Sequence, residues 1–118
     1  MKLILISLLA TLVAAASLAA VAKSASTAQT VRVIENSYSI RLSAKPKPGT
    51  VKFVVRNASD DGHDFWLRGG GKTWKTRVLG EASTASLTAV LERGVKYTYW
   101  CQVSDHRQEG MSGSFIAR

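Results

Sequence analysis

Two histidines, one cysteine and one methionine beyond Met1 are the whole stock of imidazole and sulfur donors in this chain. Three of them lie close together in Cys101-Gln-Val-Ser-Asp-His106-Arg-Gln-Glu-Gly-Met111. His63 stands far upstream, at the end of Asn57-Ala-Ser-Asp-Asp-Gly-His63. One thiolate, two imidazoles and a weak thioether are the donors that a trigonal electron-transfer copper takes. Met111 is the weakest of the four, and the Gly110 carbonyl is an alternative axial donor. Zinc also accepts Cys and His, but structural zinc sites usually show Cys-x-x-Cys or His-x3-His spacing, which is missing here. A dinuclear copper site would need a second cysteine. The expectation is therefore one mononuclear copper.

Such donors need a rigid frame. Tyr38, Ile40 and Leu42 alternate with Ser39 and Arg41, and Val51, Phe53 and Val55 with Lys52 and Val54, which is the period of half-buried strands. Val31 to Ile34 is rich in β-branched residues. His63 to Leu67 reads as a short strand ended by Arg68-Gly-Gly-Gly71, and Thr73 to Leu79 as a strand or an irregular crossover. Ala85 to Leu91 favours strand over helix. Val95, Tyr97, Tyr99 and Cys101 share one face of a strong strand, and Gly113 to Ala117 closes the chain. Ala44-Lys-Pro46-Lys-Pro48-Gly49 is a turn. Seven or eight short strands at this turn spacing, with no helical pattern after the leader, predict an antiparallel β-sandwich. Cys101 then ends a strand, and Gly110 and Gly113 serve as flexible points in the return loop.

The first residues belong to a different kind of segment. Lys2 precedes an apolar run, Leu3 to Ala22, that ends in Ala20-Val-Ala22, the pattern of a secretory signal with an A-x-A cut. A second cut fits after Ala28. The competing reading is a retained membrane anchor, because the run approaches spanning length. The expected organisation is a signal over 1–22, a linker over 23–30 and one domain over 31–118, in an exported, periplasmic or otherwise extracytoplasmic protein. Removing the leader leaves about 90 to 96 residues, enough for one modest core. A lone cysteine in an exported chain raises the question of its use, and metal ligation answers it.

Sixteen Lys and Arg oppose eight Asp and Glu, for a formal net charge of +8. That charge favours acidic protein partners or an anionic surface. Nucleic acid is not expected, because the cations are scattered and no aromatic-basic RNA motif or zinc-finger spacing accompanies them.

Val54-Val-Arg-Asn57 before His63-Asp-Phe65, followed by Tyr97-Thr-Tyr-Trp-Cys101-x4-His106-x4-Met111-x-Gly113, resembles the plastocyanin/azurin group of cupredoxins over nearly all of 31–118. The resemblance implies a Greek-key β-sandwich, a type 1 (blue) copper centre and one-electron carriage. It makes His63, Cys101 and His106 the equatorial ligands and Met111 the axial one. It gives Asn57 a hydrogen-bonding role in tying the ligand loops together, and it places the electron port at an exposed edge of His106. Asp105 and Arg107 flank that histidine where related loops often carry Pro or Gly. Asp60, Asp61 and Asp64 surround His63, which departs from a simple apolar docking patch.

Other motifs carry less. Gly71-Lys72-Thr73 hints at a phosphate loop, but Trp66 stands where its first glycine belongs. A Cys-His hydrolase would need an accessible thiolate and an oriented base. Asn57-Ala-Ser59 is a sequon only in a glycosylating host. Trp66, Trp74 and Trp100 read as core or rim packing, with Trp100 on the face opposite Cys101. The expected function is a monomeric, non-enzymatic one-electron carrier between redox protein partners. A copper carrier or buffer using the same ligands is the alternative, and a metal-free module for acidic partners a third.

Overall fold

Eight strands form two four-stranded sheets in the computed structural model, which describes residues 27–118 and, alone before them, Ser17. β1 (Gln29–Asn36), β2 (Ser39–Leu42), β3 (Gly49–Asn57) and β6 (Thr84–Leu91) build the first sheet, in the order β2-β1-β3-β6. β4 (Trp66–Gly69), β5 (Lys72–Lys75), β7 (Lys96–Trp100) and β8 (Ser112–Ile116) build the second, in the order β5-β4-β7-β8. No helix occurs among the described residues, and none there is long and apolar enough to cross a membrane. The leader expected over 1–22 lies outside the described residues, apart from Ser17. β1 already begins at Gln29, inside the segment expected as linker.

The sandwich follows from the alternation. Val31 and Val33, Val51, Phe53 and Val55, and Leu87, Ala89 and Leu91 turn inward from the first sheet. They meet Leu67, Tyr97 and Phe115 from the second, together with Phe65 just before β4. Each large apolar side chain so buried contributes about 1.5–3 kcal/mol.

One pairing differs from the all-antiparallel expectation: β1 and β3 run parallel. The turn after β2 crosses the start of β1 instead of folding straight back. Gln29 pins it there, donating from Nε2 to Lys45 O and accepting from Lys47 N–H at Oε1 (3.1 and 2.8 Å). β3 is thus delivered to the far side of β1.

Two further differences concern glycine. The strand expected over His63 to Leu67 begins at Trp66 and continues through Gly69, and Gly70 and Gly71, at φ 58° and 74°, turn it into the β4–β5 hairpin. Gly113 is a packing position inside β8, not a flexible point. It lies opposite Tyr99, whose phenol occupies the space that a Cβ would need. Gly113→Ala is expected to lose about 1–3 kcal/mol, read as a lower urea midpoint with an unchanged m-value.

Candidate metal centre

The fold brings His63, Cys101 and His106 together at one end of the sandwich. Cys101 follows directly on β7, and its N–H donates to Met111 O (3.1 Å). Between these residues the chain closes in successive turns. His106 N–H donates to Val103 O (3.1 Å), Glu109 N–H to Asp105 O (3.1 Å) and Met111 N–H to His106 O (3.0 Å). Gly110 sits at φ 122°, a conformation that side-chain-bearing residues rarely adopt. Its carbonyl accepts from Ser112 N–H (2.9 Å). Met111 is fully buried. His63 arrives on the loop after β3, where it exchanges two backbone hydrogen bonds with Leu79.

The donor atoms form a compact, nearly isosceles triangle. His63 Nδ1 and His106 Nδ1 are 3.1 Å apart, and Cys101 Sγ is 3.8 and 3.7 Å from them. The circle through three such points has a radius of about 2.1 Å, the length of a transition metal–imidazole bond. His63 and Cys101 are fully buried and His106 is 8% exposed.

Local bonds aim the His63 ring. Nε2–H donates to Ser59 Oγ (2.8 Å), a tautomer assigned from the bonding pattern, which leaves the Nδ1 lone pair facing the triangle. The Ser59 hydroxyl and N–H both donate to Asn57 Oδ1 (3.0 and 2.9 Å), and Asn57 Nδ2 donates to Asp61 O and Leu79 O (2.6 and 2.9 Å). Ser59→Ala removes the acceptor for His63 and is expected to weaken metal binding about 10–100-fold, the usual effect of losing a ligand's hydrogen-bond partner. Competition with a chelator measures it.

Burial pushes the Cys101 thiol up to about 11. Backbone N–H groups of Asp64 and Val103 bonded to the sulfur oppose that rise, and the Asp64 and Glu35 carboxyls add to it. Burial also holds His63 below its ordinary value, and His106 pushes the same way, against Asp61 and Asp64. Without a cation the group therefore rests as a thiol beside a neutral His63 imidazole. A metal ion must displace the thiol proton, so uptake releases protons. A closed, dry set of two nitrogen donors and one sulfur, with a thioether-bearing residue on the same loop, fits a borderline-soft transition metal.

Among solved structures, the chain is similar to auracyanin A, a "blue" copper protein from the green thermophilic photosynthetic bacterium Chloroflexus aurantiacus. The TM-score is 0.67 at 15% identity, over 78% of this chain and 100% of that one. It is also similar to the dithionite-reduced auracyanin of Roseiflexus castenholzii (TM-score 0.64, 15% identity, 79% and 99% covered). Reduced rusticyanin aligns at TM-score 0.58 and 19% identity, over 79% and 82%. This chain has the cupredoxin fold. No protein-family model and no curated protein sequence matches it.

Within this cupredoxin fold, several residues act that spacing did not single out. Asp64, read from sequence only as one of the charges around His63, is buried. Its Oδ1 accepts from Gln102 N–H (2.7 Å) and its Oδ2 from Trp66 Nε1–H (2.9 Å). Asp64 thus ties the His63 segment to the Cys101 loop, while Asn57 ties the His63 loop to Leu79. Asp60, Asp61 and Asp105 remain exposed. Tyr38 stands edge-on to the His106 ring (centroids 5.6 Å apart) and leaves that histidine little surface of its own. Glu35 continues the inward row of Val31 and Val33, a position that the period of β1 could have revealed.

Proposed function

We propose that this chain is a type 1 blue copper protein that carries single electrons between redox protein partners and is not an enzyme. His63, Cys101 and His106 would hold one copper, with Met111 as the fourth and weakest donor. The buried triangle of two imidazole nitrogens and one thiol sulfur carries this reading. The likeness to auracyanin A, itself a "blue" copper protein, supports it.

Bound copper would supply one-electron exchange between Cu(II) and Cu(I). The protein's part is to keep the donors still and dry. The sheets fix Cys101 at the end of β7, the Asn57–Ser59 relay fixes the His63 ring, and the turns from Val103 to Met111 fix His106. Donors held in this way move little when the charge at their centre changes, and small rearrangement favours rapid transfer. Asp64 and Val103 N–H groups bonded to the sulfur stabilise the thiolate in either state. Burial of all three donors favours retention of the ion over ready exchange, and so an electron carrier over a copper buffer.

Residues 1–22 act as the export signal, 23–28 as a linker and the chain from Gln29, where β1 opens, as a monomeric copper domain in an extracytoplasmic space. Titration with Cu(II), followed by visible absorption and EPR, tests the central reading. An intense thiolate charge-transfer band with a narrow copper hyperfine splitting is expected. A pale spectrum of ordinary tetragonal copper would sink it, and rapid loss of the ion to a chelator would move the assignment to copper buffering.

A further inference from the structure

The outer face of the second sheet is unlike the rest of the surface. Strand register sets Lys75, Trp66, Trp100 and Ser112 in one row across it, and Thr73, Arg68, Thr98 and Ser114 in the next. The indoles of Trp66 and Trp100 stack with centroids 5.8 Å apart and planes 25° from parallel. Lys75 Nζ lies 4.8 Å from the Trp66 ring centroid, and the guanidinium carbons of Arg107 and Arg68 lie 4.6 and 5.6 Å from that of Trp100. All three cations are exposed. None of the four strands contains Asp or Glu. The nearby Asp64 carboxylate is buried and bonded to Trp66 and Gln102.

Each cation is drawn to a ring, so its long side chain loses less freedom when a partner arrives. Trp100 is covalently joined to Cys101, which brings the patch within one residue of the thiolate. The first sheet's outer face also carries exposed cations, Arg32, Arg41, Lys52 and Arg56, but its strands place no Trp, Tyr or Phe among them. At the donor end of the sandwich, exposed Asp60, Asp61 and Asp105 would repel an acidic partner. Nucleic acid is a poorer match for the patch. A base needs an open aromatic face, and Trp100 is 4% exposed beneath its arginines.

We propose that this face, Trp66 and Trp100 with Arg68, Lys75 and Arg107, docks an acidic electron-transfer protein. The proposal deepens the electron-carrier reading and rests on it, but docking itself can be read without copper.

The test compares two triple variants with equal loss of charge. Arg68→Gln/Lys75→Gln/Arg107→Gln alters the patch, and Arg32→Gln/Lys52→Gln/Arg56→Gln alters the opposite face. The probe is cytochrome b5, a small acidic haem protein. In metal-free protein, NMR titration is expected to shift the Trp66 and Trp100 indole N–H signals and the Arg68 and Arg107 amides. In copper-loaded protein, the second-order rate of reduction by the cytochrome is expected to fall about tenfold or more in the patch variant. In the opposite-face variant it should fall only about two- to threefold, because charges at the docking site steer encounter most strongly. Equal losses in the two variants would overturn the proposal. So would shifts confined to the Tyr38 and His106 end, no shifts at all, or tighter binding of an oligothymidylate or of anionic lipid vesicles than of the cytochrome. Failure to form the blue centre would refute the electron-carrier reading, while the metal-free shift map would still decide docking. Matching thermal midpoints of the two variants show that both remain folded.

Discussion

Cys101→Ser is expected to abolish the intense visible band of the copper-loaded protein and to leave only weak tetragonal absorption. The sulfur is the one charge-transfer donor in the triangle, and a serine hydroxyl neither ionises there nor matches a soft metal. Copper affinity should fall further than the 10–100-fold typical of losing a ligand's hydrogen-bond partner. Stability gives a second readout. A ligand at a hundred times its dissociation constant stabilises the folded state by about 2.7 kcal/mol. The wild type should therefore show a copper-dependent rise in thermal midpoint that Cys101→Ser lacks. The metal-free variant should still fold, because serine nearly preserves the shape and its oxygen can accept from the Asp64 and Val103 N–H groups. A variant that keeps the blue band would refute the ligand assignment.

Glu35→Gln is expected to have the largest effect on the metal-free protein, and that effect should depend on pH. Glu35 is fully buried, and neither carboxyl oxygen has a hydrogen-bond partner. Burial, followed by the nearby Asp64 carboxylate, raises its pKa from 4.5 to about 8. Between those two values the folded protein keeps a proton that the unfolded chain has released. Stability therefore falls as pH rises through this window, by up to about 1.4 kcal/mol per unit. The loss at pH 8 is several kcal/mol, a large share of the roughly 5–15 kcal/mol that holds a domain together. Glutamine carries no such proton. Urea unfolding at pH 5, 6.5 and 8 should show the variant gaining steadily on the wild type, with little difference at pH 5. His63 acts in the opposite direction: its lowered pKa removes stability as pH falls below 6.5. That effect is common to both proteins and cancels in their difference. Parallel pH profiles would show that the Glu35 carboxyl has found a partner.

The frame was legible because its signals are local. Ile40 to Leu42 and Val51 to Val55 alternate at the period of a half-buried strand, whereas Tyr38, expected on the same face, stands before β2 at φ 64° and is exposed. Cys101, His106 and Met111 stood out because the chain has so few alternatives to them. The parallel β1–β3 pairing was not legible, since it depends on where the proline turn is pinned by Gln29. The role of Gly113 was hidden for the same reason: only the β7–β8 register reveals that Tyr99 lies against it. Ser59 and Asp64 are ordinary polar loop residues by type: the Ser59–His63 bond depends on how their shared loop folds, and the Asp64–Gln102 bond exists only once distant segments meet. Glu35 was overlooked because a carboxyl in a strand is normally assigned to the wet face.

The sequence by itself determined the inventory of donors, the strands that carry them and the spacing along the Cys101 loop, because composition and periodicity are properties of neighbours in the chain. Only the tertiary structure decided that His63 Nδ1 lies 3.1 Å from His106 Nδ1 and that both face the Cys101 sulfur. It also decided that Tyr38 covers the histidine edge, and that cations gather over two stacked indoles on the opposite side of β7 from the core. Each of these depends on register and sheet packing. A shift of one residue would turn the same side chains to the other face.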